Sequence, residues 1–185
     1  IKPTESAGVV RKTENSQLRR SALCGDMEKM LQSRYILAYV YSQLELHYEA
    51  AMLAQWVAEH DDPENKRAID AAFVSLLSWQ ATYQTSRPED RYVERERFIN
   101  IAALLNRRWP DNEKLDSIRY TVGQILQIAD DQERSADWYA LVKPVSKKYA
   151  DAQLAAGQAY WRSYLDKSKQ ARELEKLVPV EPQDN

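Results

Sequence analysis

The chain is expected to be all-α, an array of about seven antiparallel helices, on three observations. Turn formers are scarce: 4 Gly and 7 Pro stand in 185 residues. The β-branched residues (11 Val, 8 Ile, 5 Thr) hardly outnumber 22 Ala, which disfavours sandwiches and barrels with their frequent turns. Apolar residues recur at helical spacing in stretches of roughly 15 to 22 residues. Short breaks separate them at HDDPEN (60–65), TSRPED (85–90), RRWPDNE (107–113), ADDQERS (129–135) and KKYADAQ (147–153). An apolar fraction of 44% is enough for one ordinary core or a short array.

Residues 1–16 mix Lys, Thr, Glu, Ser and Gly without periodicity, and 178–185 (VPVEPQDN) carry two prolines among polar residues. Both read as flexible segments around a helical domain spanning 17–177. An N-terminal helix over 17–30 is expected to cap the first pair or complete a truncated one, with a break near Gly25. A start at Ile1 suggests a processed form or an excised fragment. Charged residues make up 29% but cancel to −2, so no whole-chain field attracts nucleic acid or an anionic membrane. With one cysteine, Cys24, neither an internal disulfide nor a CxxC site is possible. No apolar run reaches 18 residues and no signal core is present, so a soluble chain without membrane insertion is expected, its compartment left open.

Internal repetition is the strongest organisational signal. RYTVGQILQ (119–127) and LAAGQAYWR (154–162) place Gly123 and Gly157 34 residues apart, each after a small or branched apolar residue and before Gln. A second helix, SADWYALVKPVSKKY (135–149), follows the first copy with Ala136 and Ala140 four apart. Further upstream, RYILAYVYSQLELHYEAAMLAQWVAEHDDP (34–63) carries Leu37 and Ala38, Tyr41, Glu49 and Ala50, Ala54, Val57 and Pro63 in order. Small residues at 38, 50 and 54 allow two helices to approach closely while Tyr41 and Val57 fill the space beside them.

In these residues the chain resembles the tetratricopeptide-repeat (TPR) family, over roughly residues 31–177. The resemblance implies helix-turn-helix repeats stacked as a short right-handed α-solenoid. Between the copies the pattern departs: Leu77 and Ser78 can stand for the Leu-Gly pair, with Phe98, Ala102, Leu105 and Pro110 as the second helix. Ser78 to Phe98 nevertheless spans 20 residues where the family has 12. The middle repeat is therefore TPR-like with longer helices, or HEAT-like, whose period is about 40–47 residues.

Catalytic constellations are missing. His47 and His60 stand outside any HExxH motif, and no Cys or His lies three or four residues from either. His60, Asp61 and Asp62 read as a solvated turn whose acids cap the next helix. No Glu-x-x-His, GxxxxGK[ST], GxGxxG or GxSxG is present, so neither a metal nor a cofactor is expected and the chain reads as no enzyme. Cys24 reads as a small packed residue. RPEDRYVERERF (87–98) reads as an exposed, ion-paired helix face. The pairs Arg19–Arg20, Arg107–Arg108 and Lys147–Lys148 are dispersed near helix ends, which speaks against a nucleic-acid stripe.

Aromatic usage points to recognition. Eleven Tyr and 5 Trp stand against 2 Phe, and Tyr and Trp combine an apolar face with a polar tip. The TPR resemblance implies a concave groove lined by the first helix of each pair. Transferred onto this chain, its positions give Tyr35, Tyr39, Ser42 and Gln43; then Ser75, Trp79, Thr82 and Tyr83. They continue with Tyr120, Gln124, Gln127 and Ile128, and end with Leu154, Gln158, Trp161 and Arg162. Such a lining suits an extended peptide, because Gln both donates to and accepts from peptide groups. It lacks the Lys and Asn with which family members clamp a C-terminal carboxylate. The expected function is a non-catalytic protein-interaction module or assembly scaffold with a protein or peptide partner. The alternative is a self-associating structural domain of a larger protein or complex.

Overall fold

Where the chain can no longer satisfy its own helical hydrogen bonds, it turns, and those places divide it into seven helices among the described residues. A computed structural model describes residues 25–89 and 91–177, with no strand among them. The helices are α1 (25–43 as described), α2 (His47–His60), α3 (Lys66–Thr85), α4 (Arg91–Arg108), α5 (Leu115–Ile128), α6 (Gln132–Ala140) and α7 (Tyr149–Leu177). Asn65 caps α3 by accepting a hydrogen bond from Arg67 N at 3.0 Å. Asp131 does the same for α6, accepting from Arg134 N at 3.3 Å. Just ahead of Pro88 and Pro110 stand the ends of α3 and α4, since a proline restricts the residue before it and lacks a donor.

Two compact units meet at Arg108 and Trp109, within the RRWPDNE break. In the first unit α2 packs on α3 and α3 on α4. The inner faces are stripes at helical spacing: Ala50, Ala51, Ala54, Val57 and Ala58 on α2; Ala68, Ala71, Ala72, Ser75, Leu76 and Trp79 on α3; Phe98, Ile101, Ala102 and Leu105 on α4. Alanine at the α2–α3 seam brings the backbones close enough for Ser75 Oγ to donate to the Ala51 carbonyl at 3.0 Å. In the second unit α6 packs on both α5 and α7. Tyr139 and Val142 are buried there against Ala152 and Ala156, with Tyr120 and Ala155 at the edge.

The two units contain helical hairpins of one design. α1 ends with Glu45 N bonded to Ser42 O and Leu46 N to Tyr41 O; α5 ends with Asp130 N bonded to Gln127 O and Asp131 N to Leu126 O. These are the paired bonds of a Schellman motif, which needs a left-handed residue, and Glu45 (φ 60°) and Asp130 (φ 61°) occupy that position. The next residue, Leu46 or Asp131, already stands at the N-cap position of the following helix. At the shared offset of 85 residues Tyr35 matches Tyr120, Ala38 matches Gly123, and Ala50 and Ala51 match Ser135 and Ala136. Ala38, Ala50, Ala51, Ser135 and Ala136 are fully buried.

Glycine is needed at only one of the two positions in the 34-residue repeat. A Cβ at Gly123 would meet the Tyr139 ring at 2.7 Å, and Ser135 Oγ donates to the Gly123 carbonyl at 2.8 Å. A Cβ at Gly157, at an exposed position of α7, meets nothing within 4 Å. The equal spacing is therefore not an equal role.

Several expectations need correction. The expected 135–149 helix stops at Ala140, because Pro144 cannot donate in a further turn; residues 141–148 form the link, and α7 begins at Tyr149 inside the expected KKYADAQ break. α1 is continuous from residue 25 to 43, and residues 17–24 of the expected 17–30 helix lie outside the described residues, so the expected break near Gly25 falls at their edge. Asp61 is not solvated but buried, its Oδ2 accepting from Arg67 Nε at 2.6 Å, and the cap of α3 is Asn65. Arg67, also buried, spreads its remaining donors over Glu28 (2.7 and 2.9 Å) and Gln32 (2.9 Å). This hydrogen bond holds the Glu28 carboxyl below the usual carboxylate range. In the expected ion-paired face of 87–98, Arg95 pairs with Glu96 at 3.4 Å, and Arg91, Arg95 and Arg97 also lie over the rings of Tyr83, Tyr92 and Trp79. Cys24, Arg19, Arg20 and the terminal segments 1–16 and 178–185 lie outside the described residues.

Two outcomes follow from the second unit. Gly123→Ala forces the buried Tyr139 ring aside and should cost about 1–3 kcal/mol, whereas Gly157→Ala should gain about 0.5–1 kcal/mol from helix propensity; urea midpoints measure both. Burial, with a smaller contribution from Tyr120, pushes the Tyr139 hydroxyl up to about 12. The unfolded chain releases that proton from about pH 10, so stability should fall between pH 10 and about 12. Urea midpoints across that range should fall less steeply in Tyr139→Phe.

Candidate functional site

The stripe that buries one face of α1 leaves the other side of the helix to form a cleft with α3. Leu31 and Ala38 are buried, Arg34, Tyr35, Tyr41 and Ser42 half-buried, and Tyr39 and Gln43 exposed. Tyr39, Ser42 and Gln43 meet His47 at the start of α2 and Val74, Leu77 and Ser78 on α3 around a cleft of ≈310 Å³. No charged side chain lines it. Ser42 Oγ donates to the Tyr39 carbonyl at 2.7 Å, which leaves the Gln43 amide and the His47 ring as polar groups beside Tyr39, Val74 and Leu77. Leu77 is 61% exposed and Tyr39 52%, both large apolar surfaces open to solvent. Beside the cleft, burial and the Asp70 carboxylate on α3 raise the Tyr35 hydroxyl above its ordinary value.

On α3 the expected groove positions are displaced. Trp79 is fully buried: its Nε1 donates to Gln55 Oε1 at 3.3 Å and its ring meets Tyr48 edge-on, with centroids 5.3 Å apart. Tyr83, one turn on, is half-buried with the Arg91 guanidinium 5.7 Å from its ring. Ser75 is buried as well, and Thr82 bonds back to the Ser78 carbonyl. Of the residues that do face the cleft, Val74 and Ser78 lie one residue's rotation, about 100°, around the helix from Ser75 and Trp79, and Leu77 lies further round. Sequence reasoning missed Val74, Leu77 and His47. Their signal was an apolar pair at i and i+3 beside, not within, the stripe of Ala71, Ser75 and Trp79.

In the second unit the expected positions scatter. Tyr120 packs on Tyr139 with centroids 5.4 Å apart, and the Lys148 ammonium stands 4.7 Å from its ring. Gln127 is engaged inward, its Oε1 accepting from the Tyr139 hydroxyl at 3.1 Å. Gln124, Gln158 and Arg162 are exposed, as are Leu154 and Trp161, the latter stacked on Tyr164 at 5.7 Å.

Among the described residues no group of three or more His, Cys, Asp or Glu is placed to hold a metal. His60 is stacked on Trp56 at 4.3 Å and bonds to its carbonyl through Nδ1 at 2.8 Å. No described helix is long and apolar enough to cross a membrane. Compared with known proteins, the chain matches no family model, no curated protein and no solved structure.

The burial difference on α1 and α3 has a direct readout. Trp79→Ala should cost about 3–5 kcal/mol in urea unfolding, while Tyr39→Ala, at a half-exposed ring, should cost less than about 1 kcal/mol.

Proposed function

We propose that this chain is a non-catalytic protein-interaction module whose TPR-like hairpins stack as a short right-handed solenoid and whose α1–α3 cleft takes a peptide or helix of a partner protein. The observation that carries the reading is the meeting of Tyr39, Ser42 and Gln43 with Leu77 and Ser78 around one uncharged cleft. Its apolar surface accepts an apolar side chain, and the Gln43 amide can both donate to and accept from a peptide backbone. The matched Schellman turns and small residues of the hairpins α1–α2 and α5–α6 support the repeat reading. An uncharged lining offers nothing to a carboxylate-rich tail, so an apolar or amide-rich segment is the fitting partner.

A second reading, self-association as a structural domain, is favoured by one feature. Ile36, Leu37, Val40 and Leu44 form an exposed apolar stripe at helical spacing along α1 and its end.

Affinity purification from the native source, with the wild-type chain beside Tyr39→Ala/Leu77→Ala, tests the first reading. A stoichiometric protein is expected with wild type and should be reduced at least tenfold with the variant. Equal capture by both chains rejects the cleft as the site. Light scattering addresses the second reading: a mass that rises with concentration and is unchanged by the variant favours self-association.

A further inference from the structure

The second unit carries an acidic cleft that the proposed peptide site does not involve. It lies between the α5–α6 turn and the middle of α7, with a volume of ≈570 Å³. Asp130, Asp131 and Glu133 line it from the turn and the start of α6, and Asp166 and Glu173 from α7, against only two lysines, Lys167 and Lys169. Part of this charge is already answered: Arg134 pairs with Asp131 at 3.3 Å and Lys167 with Glu133 at 2.7 Å. Asp166 and Glu173 hold no ion pair among the described residues.

A second observation points to a ligand. Gln132 lines the same cleft and is only 5% exposed. Its Nε2 donates to Asp130 Oδ1 at 2.9 Å, which fixes the orientation of the amide, since a flipped amide would set oxygen against oxygen. The remaining atom, Oε1, is buried and accepts no hydrogen bond among the described residues. A buried acceptor without a donor is costly, so this site is short of one donor as well as short of positive charge.

We propose that this cleft binds a basic segment of a partner polypeptide, with Gln132 Oε1 accepting from an ammonium or guanidinium group that Asp166 and Glu173 neutralise. The spacing favours a chain over a small cation. Asp166 and Glu173 are seven residues apart on one helix, about 10 Å, which an extended peptide spans with basic residues at i and i+3. No described cluster fits a metal ion, so an organic cation is the fitting chemistry. The inference stands independently of the α1–α3 cleft, which lies in the other unit.

The test is calorimetric titration of the full chain with a capped hexapeptide carrying Arg at positions 1 and 4 and Gly elsewhere, and separately with spermidine, at low and at physiological salt. The peptide is expected to bind and to weaken as salt rises. Asp166→Asn/Glu173→Gln should weaken it at least tenfold, and Gln132→Met, which leaves the net charge unchanged, at least fivefold. Glu49→Gln/Glu113→Gln, at exposed carboxylates outside the cleft, should change it by less than twofold. Should Gln132→Met fail to fold, a peptide-induced shift of the Gln132 side-chain amide in an NMR spectrum of the wild-type chain replaces it. An equal loss in the control pair means diffuse attraction to acidic surface and overturns the site. Spermidine binding as tightly as the peptide overturns the polypeptide as its source.

Discussion

Close approach of helix backbones is the constraint on which the rest of this structure depends. Along α2 and α3 the buried faces are mostly alanine and serine, and in the second unit the seam is Gly123, Ser135 and Ala136 with Ala152, Ala156 and Ala159 beyond. Small faces bury little apolar area per residue, so such a seam contributes less transfer energy than one of Leu and Ile. It gains in two other ways. Polar side chains reach across to the neighbouring backbone, as Ser75 does to Ala51 and Ser135 to Gly123. A few large side chains then fill what remains: Trp79, Phe98 and Tyr139 are the largest fully buried ones. Each such residue consequently carries a disproportionate share of its unit's packing, and the glycine at 123 is the counterpart of the ring at 139.

Closely packed helices must also be held in register at their ends, and in the first unit charge performs that task. Arg67, at the start of α3, reaches Asp61 on the preceding loop and Glu28 and Gln32 on α1, so one buried guanidinium fixes the relation of two helices and a connection. Arg108, at the end of α4, donates to the carbonyls of Ala58 and Asp61 and ties the fourth helix to the same loop. A buried ion pair contributes little net stability, yet removing one partner strands the other, so its effect is on geometry more than on energy. The clamp acts near Glu28 and Gln32, whereas the cleft opens at Tyr39 and Gln43, two to three turns further along α1. The cleft therefore sits on a helix whose opposite end is anchored.

What the sequence made legible follows the range of each signal. Proline and capping residues act within a few positions, and the breaks around Pro63, Pro88 and Pro110 are where α2, α3 and α4 end or begin. The close-packed positions of the first hairpin were readable because Ala38, Ala50 and Ala54 are small for a reason local to that hairpin, and all three are buried. Which face of α3 turns inward was not readable, because α3 meets two neighbours and its alanines, serines and Trp79 spread over more than one stripe. Trp79 has the polar tip typical of recognition residues, but Gln55 satisfies that tip inside the core. Asp61 looked solvated because its partner, Arg67, lies across a turn and the arginine's other partners stand 35 and 39 residues away. Gly157 resembled Gly123 in its neighbours along the chain and differs in what stands opposite it, which only packing reveals.

The two matched hairpins separate what the fold requires from what it leaves free. Inward positions keep their size or exchange it in a compensated way: Ala38 and Ala54 in the first hairpin correspond to Gly123 and Tyr139 in the second, where loss of a Cβ makes room for the ring. Exposed positions at the same offset are not kept, since Tyr39 becomes Gln124 and Gln43 becomes Ile128. A left-handed residue is required at each turn, but Glu45 and Asp130 both meet that need, and only the aspartate, with its neighbours Asp131 and Glu133, adds charge to a cleft. One hairpin design thus presents an uncharged apolar cleft in one unit and an acidic cleft in the other. The two clefts are lined largely by residues that the packing constraint does not see, which is why the helical fold was easier to read from the sequence than the clefts.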